Sequence, residues 1–400
     1  MITTINNEHK KLNVPNLRFP EFEGEWEEHG LSELLDFKNG LNPKPDKFGK
    51  GIKFISVMDI LNNAVITYGC IKASVDVTEK ELSDFSVEKG DLLFQRSSET
   101  LEDVGRANVY MDDETAVFGG FVIRGKKKGE YDPQFFNYLL RSPFARKRII
   151  PMGAGAQHFN IGQEGLNKVK LHFTTIEEQR KIGKFLSLLD ERIATQNKII
   201  EDLKKLKCAI IEKVYSKIQG KEYSFGQLFE VINERNRQME YSNILSASQE
   251  KGMVNRDELN LDIQFERNNI NTYKIVRAGD YVIHLRSFQG GFAFSDKLGV
   301  CSPAYTILRP NSLLEFGYLS YYFTSHRFIK SLIIVTYGIR DGRSINVEEW
   351  LNMKIVIPSK AQQLHILKVL KSIDGKIENN ETYANCLANQ KQYLLRQMFI

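Results

Sequence analysis

Apolar residues recur at alternating steps of four and three along two stretches of this chain, about residues 177–217 and 361–399. The first seam reads Ile182, Leu186, Leu189, Ile193, Gln196, Ile200, Leu203, Lys207, Ile210, Val214, and the second Ile366, Leu370, Ile373, Ile377, Asn380, Ala384, Leu387, Lys391, Leu394, Met398. Such a heptad stripe predicts helices that pack on helices. At 1.5 Å rise per residue each would be ~60 Å long and outgrow a single small domain. The polar interruptions match, Gln196 with Asn380 and Lys207 with Lys391, as expected of positions that fix the register of a coiled coil. Two like seams in one chain pair most readily with each other, because the second association is intramolecular. Chain direction then predicts an antiparallel pair; the alternative is that each helix lies on its own globular part.

The seams belong to a longer internal repeat. LNKVKLHFTTIEEQRKIGKFLSLLDERI, from Leu166, has its counterpart in LNMKIVIPSKAQQLHILKVLKSIDGKI, from Leu351, matching Gln179 with Gln363 and Asp190 with Asp374. Weaker echoes precede it in the same order. Lys89-Gly90-Asp91 leading to Arg96-Ser97 recurs as Ala278-Gly279-Asp280 leading to Arg286-Ser287, and FFNYLLRS recurs as YLSYYFTS. So long a period fits a duplicated domain rather than a solenoid. Short β-branched and aromatic runs broken by Gly-Asp and Gly-Gly read as strands and hairpins. Asp132-Pro133 reads as an N-cap with proline at the first helical position. Residues 254–271 lack periodicity and read as loop. The expected fold is α/β (α+β): mixed domains at 1–176 and 218–358, spacer helices at 177–217 and 359–400, and an antiparallel helix pair with pseudo-twofold symmetry.

With 42% hydrophobic and 26% charged residues the chain is an ordinary folded one, which excludes disorder. It has no run of ~18 apolar residues and no signal-peptide core near its start, so a cytoplasmic location is expected. Cys70, Cys208, Cys301 and Cys386 form no CxxC pair, and reduced thiols are expected. The sequence has no phosphate-binding GxxxxGK[ST] loop, no HExxH and no recognisable nucleophile triad. Met152-Gly153-Ala154-Gly155-Ala156 follows a basic helix rather than a strand, which disfavours a nucleotide role, and Asn42-Pro43-Lys44-Pro45 lacks the second proline and aromatic of an amino-methylation motif. No catalytic residue and no metal site is expected.

The net charge of +5 says little until it is divided. Residues 115–176 hold 10 basic and 3 acidic groups, and residues 267–343 hold 10 and 4, so each copy gathers its cations late. Local, one-sided positive charge is what phosphate neutralisation needs. The candidate DNA-binding residues are Arg96, Ser97, Lys126, Lys127, Arg146, Lys147 and Arg148 in the first copy and Arg286 and Ser287 in the second. Beside flexible glycines follow Gln157, His158 and Asn160, and at the equivalent place Arg340, Asp341, Arg343 and Ser344. Gln and Asn pair with adenine, Arg with guanine, and Asp accepts from cytosine, so these groups can read base edges. A repeated frame with differing polar residues fits two readers of different targets, although any polar loop also varies.

The opening VPNLRFPEFEGEWEEHGLSELLDFKNG, the two Gly-Asp strands and the paired blocks TTIEEQRKIGKFLSLLDERIATQNKIIEDLKKLK and PSKAQQLHILKVLKSIDGKIENN resemble the DNA-specificity subunit of type I restriction-modification systems. The resemblance spans nearly the whole chain. It implies a non-catalytic subunit whose two target-recognition domains each bind half of an asymmetric, bipartite site on double-stranded DNA, with the helix pair setting the unread gap. It implies two modification subunits that methylate adenine with S-adenosylmethionine, and restriction subunits that use ATP and Mg. The acidic residues 21–28 would then face a partner rather than DNA. The competing class is a coiled-coil interaction protein with incidental DNA affinity.

Overall fold

Period-two alternation on buried strands gives each half of this protein two cores back to back. The computed structural model describes residues 13–248, 251–259, 267–284, 291–337 and 344–400. It falls into two compact units, Met1–Asn197 with Thr382–Ile400, and Lys198–Glu381. In the first unit an antiparallel sheet runs in the order Leu35–Asn39, Val122–Lys127, Leu92–Gln95, Ala107–Val109. Successive side chains on a strand face opposite ways. Leu92, Phe94 and Ile123 therefore join one core with Phe135, Phe136 and Leu139 of helix Pro133–Arg141, while Leu93 and Val122 join another with Ile55 and Phe118. A second sheet, Ser74–Val75, Phe48–Ile55, Ala116–Phe118, Ser86–Val87, contains a parallel pair.

The second unit repeats the first sheet as Phe229–Ile232, Thr306–Pro310, Tyr281–Ile283, Phe292–Phe294. Tyr281 and Ile283 face the larger core and Val282 the smaller one, the same alternation. A two-stranded antiparallel ladder leads into each long helix: Glu27–Gly30 with Lys170–Phe173, and Lys221–Ser224 with Lys354–Ile357. Asp132 caps its helix as expected, its Oδ1 accepting from the Phe135 amide at 2.7 Å, with Pro133 at the first helical position. Ser142 and Ser325 cap the following helix of each unit.

The long helices are Ile176–Lys217 and Lys360–Gln397, and each contributes to both units. No predicted seam position is fully exposed. Within the first unit Asp190 meets Lys391 and Arg192 meets Tyr383; within the second Lys204 meets Glu381 and Lys207 meets Asp374. In both, the partner's number falls as the first residue's rises, so the paired segments are antiparallel. The seam lysines are ion-paired. In the first unit Lys391 Nζ lies 2.5 Å from Asp190, whose other oxygen accepts from the Tyr138 hydroxyl at 2.8 Å. In the second, Lys207 lies 2.5 Å from Asp374, which accepts from Tyr321 at 2.6 Å. Each lysine also sits over its tyrosine ring.

The repeat reaches single hydrogen bonds. Gln179 accepts from the Asp132 amide and donates to Thr174 O, and Gln363 accepts from the Glu315 amide and donates to Leu313 O and Pro358 O. Residues 254–271 are a correction to the sequence reading. Gly252–Asn255 is a strand paired with Leu245–Ser248, followed by 3-10 turns at Arg256–Leu259 and Arg267–Thr272; residues 260–266 lie outside the described ones.

Candidate nucleic-acid interface

In the first unit the helix Pro143–Ile149 runs into a 3-10 turn, Ile150–Met152, and the chain then loops out and returns at strand Phe159–Asn160. Backbone pairing closes the loop: the Ala154 amide donates to Asn160 O at 2.9 Å and the Asn160 amide to Ala154 O at 2.8 Å. Only glycine fits at 155. Its φ is +147°, and an added Cβ would come within 1.9 Å of His158 O. The returning strand pairs with Ser97–Ser98, and the Ser97 hydroxyl donates to Asn160 Oδ1. The Asn160 amide group donates to His158 O at 3.3 Å. Asn160 thus spends its side chain on holding the loop. Gln157 and His158 are exposed, and no hydrogen bond among the described residues engages either side chain. Arg96, half-buried, is tied by its backbone to Phe121 and Ile161 and reaches Gly120 O at 3.4 Å.

The structure therefore brings Arg96, Ser97, Gln157, His158 and Asn160 together. Lys126 and Lys127 stand apart, because the strand Val122–Lys127 pairs Val122 with Gln95 and carries both lysines to its other end. There Lys126 pairs with Glu88 at 3.4 Å, and Lys127 donates to Tyr131 O and covers that ring. Arg146 is mostly enclosed. It donates to Glu102 O and Val104 O, and burial lowers its pKa to about 10. Lys147 and Arg148 are exposed and line a hollow of about 200 Å³ with Lys170 and His172. The acidic opening segment is partly consumed by the unit itself, Glu21 pairing with Lys181 of the first long helix.

Two residues beside the loop escaped the sequence reading. Phe121 is 68% exposed at the turn after Gly119-Gly120, and Asn42 is exposed against Gly120. A bulky aromatic directly after a glycine pair was the available signal for Phe121. In the second unit Arg286, Ser287, Arg340, Asp341 and Arg343 lie outside the described residues. The ends of that second loop are described: Thr336–Tyr337 pairs antiparallel with Ser344–Ile345, matching the Ala154–Asn160 closure. Elsewhere in the second unit, burial lowers the pKa of His284, whose ring lies tilted 6.2 Å from that of Tyr305.

The family model for the type I restriction modification DNA specificity domain matches residues 23–205. The putative type I restriction enzyme MjaX specificity subunit of Methanocaldococcus jannaschii is 24% identical over 92% of this chain and 92% of its own length. The MjaVIII specificity subunit of the same organism is 24% identical over 90% of this chain and 88% of its own. The crystal structure of a type I restriction-modification S subunit from M. genitalium superposes with a TM-score of 0.56 at 15% identity, covering 97% of this chain and 99% of that one. A chain from a structural study of complex assembly and conformational transition in a type I R-M system gives 0.58 at 14%, covering 92% and 96%. Over nearly its whole length the chain is thus similar to type I specificity subunits, and residues 23–205 match their DNA specificity domain.

The repeated features of this chain are of two kinds. The Gly-Asp motifs serve the fold: Asp91 is buried and accepts from the Glu88 and Lys127 amides, while Asp280 accepts from the Arg277 amide and both nitrogens of a bidentate Arg309. The loop at 155–159 instead leaves Gln157 and His158 exposed. Among the described residues no helix is long and apolar enough to cross a membrane.

Proposed function

We propose that this chain is a specificity subunit and reads a bipartite double-stranded DNA site, each unit recognising one half through its closed loop. The carrying observation is that the residues flanking 155–159 and those flanking 338–343 are joined by like antiparallel backbone pairs at the same place in the repeat, while the sequences between them differ in every polar residue. Gln157 and His158 face outward and serve as base readers; Arg96, Lys147 and Arg148 supply charge for the backbone. Two modification subunits dock along the helices and methylate adenine with S-adenosylmethionine, and restriction subunits add ATP- and Mg-dependent cleavage. Support for like docking surfaces comes from exposed apolar residues off the seam at matched places, Phe185 with Val369 and Ile199 with Tyr383. The helix pair sets the unread gap.

Modification-sensitive sequencing of DNA from cells carrying the chain and its partners tests this reading. The expected result is one two-part methylated motif. Inserting four residues, about one turn, into the first long helix should lengthen or shorten the gap and leave both half-sequences intact. An unchanged gap would mean that the helices do not measure it, and methylation without sequence preference would remove the reading altogether.

A further inference from the structure

Beside the loop of the first unit lies a cavity of about 380 Å³ into which three arginines converge, Arg106, Arg141 and Arg146. We propose that this cavity seats a backbone phosphate of DNA, next to the bases read by the loop at 155–159. The inference rests on the DNA reading above and adds to it a specific anion site.

The gathering of three guanidinium groups around one cavity carries the argument. The carboxylates at hand are Glu102, on the cavity wall, and Asp103, which takes Arg106 at 2.5 Å; Asp190 acts on Arg141 from further away. A guanidinium carries five N–H donors. Arg141 uses two of its own on distant carbonyls, Ala107 O at 3.4 Å and Asn63 O at 3.3 Å. Arg146 spends one nitrogen on two carbonyls and leaves its Nη1 buried without a partner among the described residues. Burial, and then the neighbouring Arg106 charge, hold the Arg146 pKa down. An oxyanion would relieve the repulsion, and the planar fork of arginine suits phosphate.

Position decides for a DNA phosphate over a free anion. Ile150 lines the cavity and precedes by four residues the Ala154 that closes the loop. The Arg106 carbonyl accepts from the Gln95 amide at 2.7 Å, adjacent to the Arg96-Ser97 pair that holds the returning strand. A phosphate fixed here would set the orientation of the duplex against Gln157 and His158, the usual division between positioning and specifying contacts. The site is peculiar to this unit. With the capping serines Ser142 and Ser325 aligned, Thr324 and Ile329 stand where Arg141 and Arg146 are.

The test uses the full chain assembled with its modification partners, titrated with salt on duplexes carrying the mapped motif or a scrambled one. Arg106 is exposed enough to change without unfolding the unit. Arg106→Gln should weaken binding to both duplexes by the same factor and make the slope of log affinity against log salt shallower by about one, with Arg106→Lys restoring it. An unaltered slope in R106Q, with sequence selectivity intact, would overturn the cavity and spare the DNA reading. Loss of selectivity in place of affinity would make Arg106 a base reader and overturn it too. Thermal stabilisation of the wild type by inorganic phosphate with no change in slope would assign the cavity to a free anion. Wild-type binding that ignores sequence would sink both readings together.

Discussion

The two units hold their helices by the same three residues and differ in almost everything that faces outward. Tyr138, Asp190 and Lys391 form in the first unit what Tyr321, Asp374 and Lys207 form in the second, down to which carboxylate oxygen takes the hydroxyl. Each set joins a lysine from one copy of the repeat to an aspartate from the other. The cavity arginines and the N-terminal arm have no such counterpart, and the sequences 155–159 and 338–343 differ. In the first unit Arg18 makes a bidentate pair with the fully buried Glu178, at 2.8 and 2.7 Å, and the Leu17 amide donates to Gln397 O. At the matching position in the second unit stands Gln362, exposed and bonded to Ser359. Selection on a scaffold keeps contacts that must satisfy both copies, whereas a surface that reads or binds only has to suit its own target.

The largest break in this comparison should come from the arm. Arg18→Ala leaves the Glu178 carboxylate buried with only the Thr174 hydroxyl, and removing one partner of a buried pair costs about 3–5 kcal/mol. Denaturant unfolding should show that loss in the transition of the first unit; Gln362→Ala, its counterpart, should change little. A comparable shift from both variants would mean that the arm does not distinguish the units.

Next in size is the seam network, where burial separates the copies. The Lys391 and Asp190 side chains are 19% and 17% exposed, against 27% and 38% for Lys207 and Asp374. Asp190→Ala strands a mostly buried ammonium beside a tyrosine and is expected to cost about 3 kcal/mol. Asp374→Ala, with its lysine better hydrated, should cost about 1 kcal/mol. Thermal unfolding of the two variants measures the difference. Equal costs would show that the network acts through geometry shared by both copies rather than through burial.

Much of this scaffold was legible in the sequence because its signals are periodic or repeated. The seam could be walked residue by residue, and a polar residue within it stood out against apolar neighbours. Lys207 and Lys391 were visible as interruptions, and Asp190 and Asp374 as repeat matches, but nothing in the order of residues says that each lysine meets the aspartate of the other copy. Pairings across long separations are equally silent. Lys126 and Lys127 read as phosphate-binding residues, yet in the fold Lys126 is paired with Glu88, and the adjacent Lys128 with Asp36 of the neighbouring strand. Short hairpin strands such as Gly252–Asn255 hold too few residues to show alternation. Within the loop, residue type suggested three readers, and only the backbone closure reveals that Asn160 is a strut while Gln157 and His158 are free.

That distinction gives the smallest and most discriminating test. Gln157→Ala and His158→Ala remove exposed groups with no partner among the described residues, so stability should stay within about 0.5 kcal/mol of the parent. Their effect should fall on methylation selectivity at a single half-site, by about 1–2 kcal/mol of discrimination where a paired contact to a base is lost. Asn160→Ala should behave otherwise. It frees Ser97 and the His158 carbonyl and loosens the loop as a whole, lowering affinity for the same half-site without changing which bases are preferred. Competition binding with duplexes mutated base by base separates the two patterns. Were Gln157→Ala to weaken both half-sites alike, the loop would be a structural contact common to the complex, and the difference between the units would lie elsewhere.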